Sequence, residues 1–415
     1  MKLKEKYNVP LIRFDYFKEE WDEKRFKDFT KLSQGLQIAI SSRFLEDGEH
    51  RYFYITNEFL NPNSTKKYYI ESPSENVICT VDDILMTRTG NTGKVITNIS
   101  GAFHNNFFKV DYDKFETSKM FLYYLLTSND IHKEIIIRAG NSTIPDLNHS
   151  DFYSIKTSVP SLDEQSAIGS LFRTLDDLLA SYKDNLANYQ SLKATMLSKM
   201  FPKAGQTVPE IRLDGFEGEW ERVNLETSTV RLKSFSLSRD VETKENTGMR
   251  YIHYGDIHTG RASYINDENV LPFISKDLKI TEFLKKGDLT FADASEDYKG
   301  IAEVSLLAVD PKDNVIAGLH TISLRPNKNL DSTFLYYLFK TQTFRKYGYK
   351  VGTGMKVFGI SPTNLMKYEY YHPSLDEQQA IGFYFSNIDN LIKSHQEKIS
   401  QLETLKKKLL QDMFI

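Results

Sequence analysis

The chain of 415 residues carries a formal net charge of −3, with 26% charged and 40% hydrophobic residues. This length predicts about two to four folded units, with two favoured, and the composition excludes a disordered or fibrous protein. The single cysteine, Cys79, excludes an intrachain disulfide framework and a multi-cysteine metal site. Because no apolar run is long enough for a signal peptide or a membrane span, the sequence predicts a cytoplasmic protein with no membrane contact.

Two long regions, residues 1–158 and 203–371, show the same mixture of short patterns. β-like runs such as RYFYIT at 51–56 and HTISL at 320–324 alternate with helical stretches such as residues 118–136, separated by Gly, Asn and Asp turns. The predicted fold class is therefore α/β, or α+β, with two globular domains built on small mixed sheets.

Each region is followed by a segment, 159–202 or 372–415, that predicts one long helix. In the first segment, apolar or aromatic residues alternate at spacings of four and three, which is typical of a coiled-coil seam. Ser161 and Ser374 are candidate N-caps. Glu164 and Glu377, three residues later, predict a capping box at each helix start.

An internal repeat organises the chain. PSLDEQSAIGSLF at 160–172 returns as PSLDEQQAIGFYF at 373–385, and at this offset of 213 residues 18 of the last 43 positions are identical. FLYYL recurs at the same offset, and PLIRFDYFKEEW at 10–21 has an echo, PEIRLDGFEGEW, at 209–220. The segments between these echoes differ, which predicts one scaffold presenting two different binding surfaces.

The common enzyme signatures are missing from the sequence, which has no P-loop, no HExxH zinc motif and no nucleophile elbow. His253 and His258 indicate strand-and-loop contacts rather than a metal pair. The acidic run DASEDYKG at 293–300 offers carboxylates for a nuclease metal ion, but the matching run TRTGNTGKV at 87–95 has none. We therefore expect no metal and no catalytic residue in this chain.

The same two runs can be interpreted as loops that read DNA. Arg88 and Lys94 suit phosphates or guanine edges, and Asn91 suits an adenine edge. In the second run, Glu296 suits a cytosine amino group and Lys299 a phosphate. On the residues alone, a solvated hairpin tip in each half is an equal alternative.

Four sets of residues together resemble the specificity subunit of type I restriction-modification systems, the HsdS family. They are the doubled PSLDEQ-x-AIG with its following helix, the FLYYL before it, the IR-x-D-x-F-x-x-x-W near the start of each half, and GDL at 287–289 matched by DIL at 83–85. The resemblance covers nearly the whole chain.

This resemblance implies a non-catalytic subunit with four parts: target-recognition domain 1 (1–158), a first spacer helix (159–202), target-recognition domain 2 (203–371) and a second spacer helix (372–415). Each domain would read one half of a bipartite target in double-stranded DNA. The two helices would pack antiparallel and bind two methyltransferase subunits. S-adenosylmethionine for adenine methylation, and ATP with Mg²⁺ on restriction and translocase subunits, would belong to those partners and not to this chain.

The candidate DNA contacts lie in the two runs above, in the unlike segments 32–51 and 232–250, and in the Gly-containing loops 137–143 and 349–356. For the last pair, an ordinary loop between a helix and a strand is slightly favoured over base contact. The candidates are Arg43, Arg88, Thr89, Asn91, Thr92, Lys94, Asn141, Ser142, Lys233, Arg239, Ser295, Glu296, Tyr298, Lys299, Thr353 and Lys356. The predicted helix interface consists of Phe172, Leu179, Leu186, Phe385, Ile392 and Ile399.

Two other classes of function compete with DNA reading. The runner-up is a coiled-coil scaffold of a complex without DNA. A self-contained nuclease or methyltransferase is the least favoured, because the sequence lacks the Gly loop and the Asn-Pro-Pro-Tyr-type pocket of such methyltransferases.

Overall fold

The computed structural model describes residues 8–140, 143–275, 280–296, 300–354 and 357–415. The chain divides into two compact units. The first unit comprises Met1–Lys183 and Glu397–Ile415, and the second unit comprises Asp184–Gln396. No helix in the described part of the chain is long and apolar enough to cross a membrane. The four boundaries drawn from the sequence repeat stay a prediction.

Short strands and short helices precede the long helix of the first unit. In chain order they are β1 (Asp22–Arg25), α1 (Phe26–Phe29), β2 (Thr30–Gln34), β3 (Arg51–Ile55), β4 (Tyr69–Glu71), β5 (Ile78–Cys79), β6 (Ile84–Thr87), β7 (Val95–Thr97), β8 (Gly101–Phe103), β9 (Phe107–Tyr112), α2 (Lys119–Thr127), α3 (Asn129–Ala139), α4 (His149–Ser154), β10 (Lys156–Val159) and α5 (Leu162–Lys199). Single 3₁₀ turns lie at Ile40–Ser42, Asn57–Leu60 and Glu75–Val77.

Two four-stranded sheets form the body of the first unit, in the orders β2-β9-β6-β7 and β4-β3-β8-β5. The first sheet is antiparallel, whereas β3 and β8 pair in parallel in the second. Strand β6 is buried along its whole length, so its sequence ILMT begins with a continuous apolar run instead of alternating. The β6–β7 hairpin carries the loop 87–94 at its tip.

The second unit repeats this plan with longer connections. Its elements are β11 (Glu221–Asn224), α6 (Leu225–Ser228), β12 (Thr229–Leu232), β13 (Glu242–Thr243), β14 (Met249–Ile252), α7 (Tyr254–His258), β15 (Tyr264–Ile265), β16 (Phe273–Ile274), β17 (Leu289–Ala292), β18 (Ala294–Ser295), β19 (Val304–Leu307), β20 (Asn314–Ala317), β21 (Thr321–Pro326), α8 (Ser332–Leu338), α9 (Gln342–Val351), β22 (Phe358–Gly359), α10 (Pro362–Met366), β23 (Glu369–His372) and α11 (Leu375–Asp412). 3₁₀ turns lie at Arg239–Val241 and Glu268–Val270.

The sheets of the second unit run in the orders β12-β21-β17-β19-β15 and β13-β16-β14-β20. Strand β17 lies between β19 and β21 as β6 lies between β7 and β9, and β14 pairs in parallel with β20 as β3 does with β8. In each unit a two-stranded ribbon, β1–β10 or β11–β23, joins the first and last strands. The predicted pair of domains with small mixed sheets is confirmed.

Helices α5 and α11 pack together in antiparallel fashion within each unit. In the first unit, the start of α5 lies against the end of α11, where Lys183 and Glu403 form an ion pair at 2.7 Å. In the second unit, the end of α5 lies against the start of α11, and the rings of Tyr189 and His395 are 5.2 Å apart. The predicted packing of two long helices is confirmed.

A buried ion pair joins the start of α5 to the segment before β1. Nε and Nη2 of Arg13 donate to the two carboxylate oxygens of Glu164, each at 2.7 Å, and Trp21 Nε1 donates to Glu164 Oε2 at 3.2 Å. Only 2% of the Glu164 side chain is exposed. The hydrogen bond to Glu164 raises the pKa of Arg13, so the guanidinium stays charged.

The second unit contains the same ion pair. Arg212 Nε and Nη2 donate to Glu377 at 2.7 and 2.6 Å. The predicted capping boxes are thereby corrected: both glutamates bind arginines, 151 and 165 residues away in sequence. One of the two predicted capping-box hydrogen bonds is present at the second helix, where Ser374 Oγ accepts from the Glu377 amide at 3.4 Å.

The glutamine that follows each glutamate holds the long helix to the preceding domain. Gln165 Oε1 accepts from the Ser118 amide, just before α2, at 3.0 Å, and its Nε2 donates to Pro160 O at 2.9 Å. Gln378 accepts from the Asp331 amide, just before α8, at 2.9 Å. We call each Arg–Glu pair with its Gln the joint of that unit.

A small residue lets α5 approach α2 closely. A Cβ on Gly169 would lie 2.9 Å from Met120 Cβ and 2.9 Å from the Phe121 amide, so a larger residue would push the helices apart. A Cβ on Gly382 would meet α8 at 3.1 Å in the second unit. The glycine of the doubled AIG is therefore a packing residue.

A second duplicated contact ties both long helices to each domain. In the first unit, Tyr124 OH donates to Asp176 Oδ2 at 2.8 Å, and Lys406 binds Asp176 Oδ1. In the second unit, Tyr337 OH donates to Asp389 at 2.8 Å, and Lys193 binds the same carboxylate. In each case the lysine comes from the other copy of the repeat.

We expect Arg13→Met to lower the free energy of unfolding of the first unit by about 3–5 kcal/mol, because it leaves a buried carboxylate without its counter-charge. Lys156→Met is the matched control, since Lys156 pairs with Glu23 at 2.7 Å and their side chains are 56% and 64% exposed. Its loss should stay below about 1 kcal/mol.

Denaturant unfolding followed by Trp21 fluorescence measures both losses, with Trp220→Phe as the common background. Trp21 is suited to this experiment because its indole nitrogen donates directly to Glu164. A loss for Arg13→Met no larger than that of the control would contradict the assigned role of the ion pair.

Candidate nucleic-acid interface

The loop 87–94 of the first unit is tightly closed by its own backbone. The Thr87 amide donates to Lys94 O at 2.9 Å, and the Gly93 amide donates to Thr87 O at 2.8 Å. Gly90, Asn91 and Gly93 have φ of +63°, +58° and +82°, a region in which glycine and asparagine are least strained. The loop thus has a defined conformation at the tip of the β6–β7 hairpin.

Two predicted contact residues of this loop are exposed. Asn91 is exposed, and only its carbonyl is used by the loop, accepting from Thr87 Oγ1 at 2.5 Å. Lys94 is also exposed, with Nζ 3.3 Å from Leu60 O. Thr92, by contrast, is buried and donates to Pro145 O at 2.7 Å, which makes it part of the loop's support.

Arg88 is engaged inside the first unit. Its Nη2 donates to Asp146 at 2.6 Å, its Nε donates to Leu147 O at 3.4 Å, and its guanidinium lies 5.5 Å from the Phe108 ring centre. Only 19% of its side chain is exposed. Arg88 would have to leave Asp146 to reach guanine or phosphate, so its role in DNA contact stays a prediction.

The other described candidates of the first unit also have internal contacts. Thr89 forms a bridge with Asp146, and its carbonyl accepts from Asn57 Nδ2 at 3.1 Å. Arg43 donates twice to Ile38 O, at 2.8 and 3.1 Å. Asn141 and Ser142 lie outside the described residues.

In the second unit, the chain beyond β17 is brought to the loop before β22. Ser295 pairs with Phe358 across the β18–β22 ribbon, and Thr353 forms a bridge with Gly359 at the same place. The structure therefore brings together Ser295 and Thr353, which are 58 residues apart in sequence. Tyr298, Lys299 and Lys356 lie outside the described residues.

Glu296 lines an open cleft of about 590 Å³, together with Tyr254, His258 and Glu303. It is exposed at the cleft. Beside it, His320 Nδ1 lies 3.2 Å from Asp293 Oδ1. Burial raises the pKa of Asp293, and the charge of His320 opposes this shift.

Lys233 and Arg239 are the two cations that the sequence predicts as DNA contacts in the segment 232–250. They differ in how far their side chains are bound within the protein. Lys233 is exposed, with Nζ 5.2 Å from the Phe235 ring centre. Arg239 donates to Glu242 at 2.8 Å and to the buried Asp256 at 3.1 Å, while 46% of its side chain is exposed. Lys233 is therefore the more available of the two.

No group of three or more His, Cys, Asp or Glu residues that could hold a metal ion occurs in the part of the chain that the structure describes. Asp297, one of the carboxylates considered for a nuclease, lies outside that part. His258 instead contacts a backbone carbonyl of β18, with Nε2 2.8 Å from Ala294 O.

The predicted helix-interface residues vary in burial. Phe172 and Phe385 are fully buried in the cores of the first and second units, and Leu179 is 7% exposed. The half-buried members of the set are Leu186, Ile392 and Ile399. Their contact with a partner subunit stays a prediction.

Sequence reasoning missed the acceptors and donors that hold these loops. Asp146 binds Arg88, Asp256 binds Arg239, and Asn57 donates to the loop 87–94. None belongs to a motif. The one available signal for Asn57 and His258 is their position in a short turn or helix after matching strands, β3 and β14.

The profile of the type I restriction modification DNA specificity domain matches residues 18–188 and 225–404. The type I restriction enzyme MjaVIII specificity subunit of Methanocaldococcus jannaschii is 23% identical over 400 residues, covering 94% of this chain and 91% of that protein.

The crystal structure of the type I restriction-modification system S subunit from M. genitalium superposes with a TM-score of 0.60 at 16% identity, covering 98% of this chain and 99% of that one. A structure described for complex assembly and conformational transition of the type I restriction-modification system superposes with a TM-score of 0.50 at 15% identity, covering 94% and 96%. These structural matches show a shared fold. Because the specificity profile matches most of both units, the chain belongs to the type I restriction modification DNA specificity family.

Proposed function

We propose that this chain is the specificity subunit of a type I restriction-modification complex, in which each unit reads one half of a bipartite DNA target. The joints are the same in the two units and the loops are different, and this difference supports the proposal. The two units repeat the same joints and the same central strands, yet the loop after β6 is basic and the loop after β17 is acidic. A shared frame with unlike tips suits two different half-sites.

The exposed loop side chains give each unit its own chemistry for base edges. In the first unit, Asn91 can bind an adenine edge and Lys94 a phosphate. In the second unit, Glu296 can accept from a cytosine amino group, and Thr353 is exposed beside the β18–β22 ribbon, whereas Ser295 is buried in it. Lys233 adds a phosphate contact to that unit.

Methylation and cleavage belong, in this proposal, to partner subunits that carry S-adenosylmethionine and ATP with Mg²⁺. The long helices support two equivalent docking positions. Exposed leucines recur at the offset of the repeat, Leu178 with Leu391 and Leu192 with Leu405, each about 38–44% exposed. Exposed leucines at matching places in both copies suit two copies of one methyltransferase subunit.

The proposal predicts modular specificity. Exchanging residues 22–158 for the corresponding segment of a relative leaves Arg13 and Glu164 in place, so the new domain keeps its joint. We expect modified-base sequencing to show a change in one half of the methylated motif and the other half intact. A change in both halves, or in neither, would count against independent units, and no binding to duplex DNA would favour a scaffold.

Two substitutions in one loop should separate base reading from phosphate binding. Asn91→Ala should reduce discrimination at one base pair by about 1–3 kcal/mol with little change in salt dependence. Lys94→Gln should weaken binding to all sequences and lower the slope of log affinity against log salt by about one. Competition binding at several salt concentrations distinguishes them. The loop is not the reader if both variants behave alike.

A further inference from the structure

In both units one side chain from outside the loop donates a hydrogen bond to the loop's backbone. In the first unit, Asn57 Nδ2 donates to Thr89 O at 3.1 Å. Asn57 begins the 3₁₀ turn Asn57–Leu60 that follows β3, and it is half-buried. Its amide therefore reaches the loop 87–94 from a separate sheet.

The fit between Asn57 and the loop is close. A Cβ on Gly90, the next residue after Thr89, would lie only 2.4 Å from Asn57 Nδ2, and Gly90 has a φ of +63°. Leu60, at the end of the same turn, offers its carbonyl to Lys94 Nζ at 3.3 Å. The turn after β3 thus supports both ends of the loop.

The second unit has the same arrangement with a different side chain. His258 lies in α7, which follows β14, and its Nε2 is 2.8 Å from the carbonyl oxygen of Ala294, in β18 at the start of the run 293–300, which we call the reading loop of the second unit. Because a carbonyl oxygen can only accept, Nε2 must carry the proton. A Cβ on Gly300 would lie 3.1 Å from the His258 ring, so a glycine borders this contact as well.

We propose that Asn57 and His258 are positioning residues for target recognition: each fixes the backbone of its unit's reading loop and so determines which base pair that loop accepts. This inference rests on the proposed function of the loops. Asn57 and His258 need not touch DNA. The two units use an amide and an imidazole at the same place, so the bond to the loop carbonyl is what they share.

Discrimination between base pairs depends on the geometry of donors and acceptors at the base edge. A bidentate contact discriminates only when its donor and acceptor are held in register with the base edge. A loop whose carbonyl loses its donor can adopt other conformations in which Asn91 faces different base pairs. Loss of the donor should therefore relax specificity more than it weakens binding.

The test uses the assembled complex with its methyltransferase subunits and the full chain. Asn57→Asp keeps the size of the side chain but replaces the donor by a carboxylate. We expect about a tenfold loss of discrimination at the half-site of the first unit, measured by competition between target duplexes, with the second half-site unchanged. His258→Phe should reduce discrimination at the half-site of the second unit and leave the first half-site unchanged.

Asn61→Asp is the matched control. Asn61 is exposed four residues further along the same segment, and its Oδ1 accepts a hydrogen bond from the Asn63 amide at 3.1 Å, a role that an aspartate keeps. It introduces the same charge without touching the loop. Its discrimination should equal that of the parent chain.

Gly90→Ala disturbs the same contact from the loop side, because a Cβ at residue 90 would clash with Asn57 Nδ2. It is the alternative test if the Asn57→Asp chain folds poorly. It should relax the same half-site. Equal weakening for all duplexes with unchanged discrimination, for either variant, would overturn the proposal. If Asn91→Ala also leaves the motif unchanged, the loop is not the reader and the proposed function fails. If Asn91→Ala alters the motif while Asn57→Asp does not, only this inference fails.

Discussion

The attachment of each long helix to its domain depends first on a buried ion pair at the start of that helix. A carboxylate in a nearly water-free place requires a cation with matching geometry, and the bidentate Arg13–Glu164 and Arg212–Glu377 pairs supply it. The neighbouring glutamine and glycine hold the same helix against α2 or α8. Among the residues of PSLDEQ-x-AIG that are identical in both copies, the glutamate and the glutamine belong to the joint and the glycine packs against α2 or α8, whereas the loop tips differ.

The tyrosine–aspartate–lysine contacts add a second constraint. Each unit takes its Tyr and Asp from one copy of the repeat and its Lys from the other, as in Tyr124–Asp176–Lys406. Burial raises the pKa of Tyr124, so its hydroxyl remains a donor to the aspartate. A slip of one helix along the other would separate Lys406 from Asp176 in the first unit. The pairing of the helices therefore has a register fixed by polar contacts and not by the apolar stripe alone.

The sequence was sufficient to predict the repeat, the two long helices and the two small-sheet domains, because each leaves a local or periodic pattern. It did not reveal the joint, because Arg13 and Glu164 are 151 residues apart, and a glutamate three residues after a serine fits a capping box equally well. The same limit applies to the loops. Arg88 and Arg239 look like free cations in sequence, but Asp146 and Asp256 bind them in the fold. A helical pattern is local, whereas a loop's partners are set by tertiary structure.

We propose that one duplicated frame carries two unlike reading surfaces. Modified-base sequencing of DNA methylated by the complex containing the native chain would show whether it does. We expect two different half-sites separated by a fixed stretch of unread base pairs. A continuous motif, or two identical half-sites arranged as a palindrome, would contradict it.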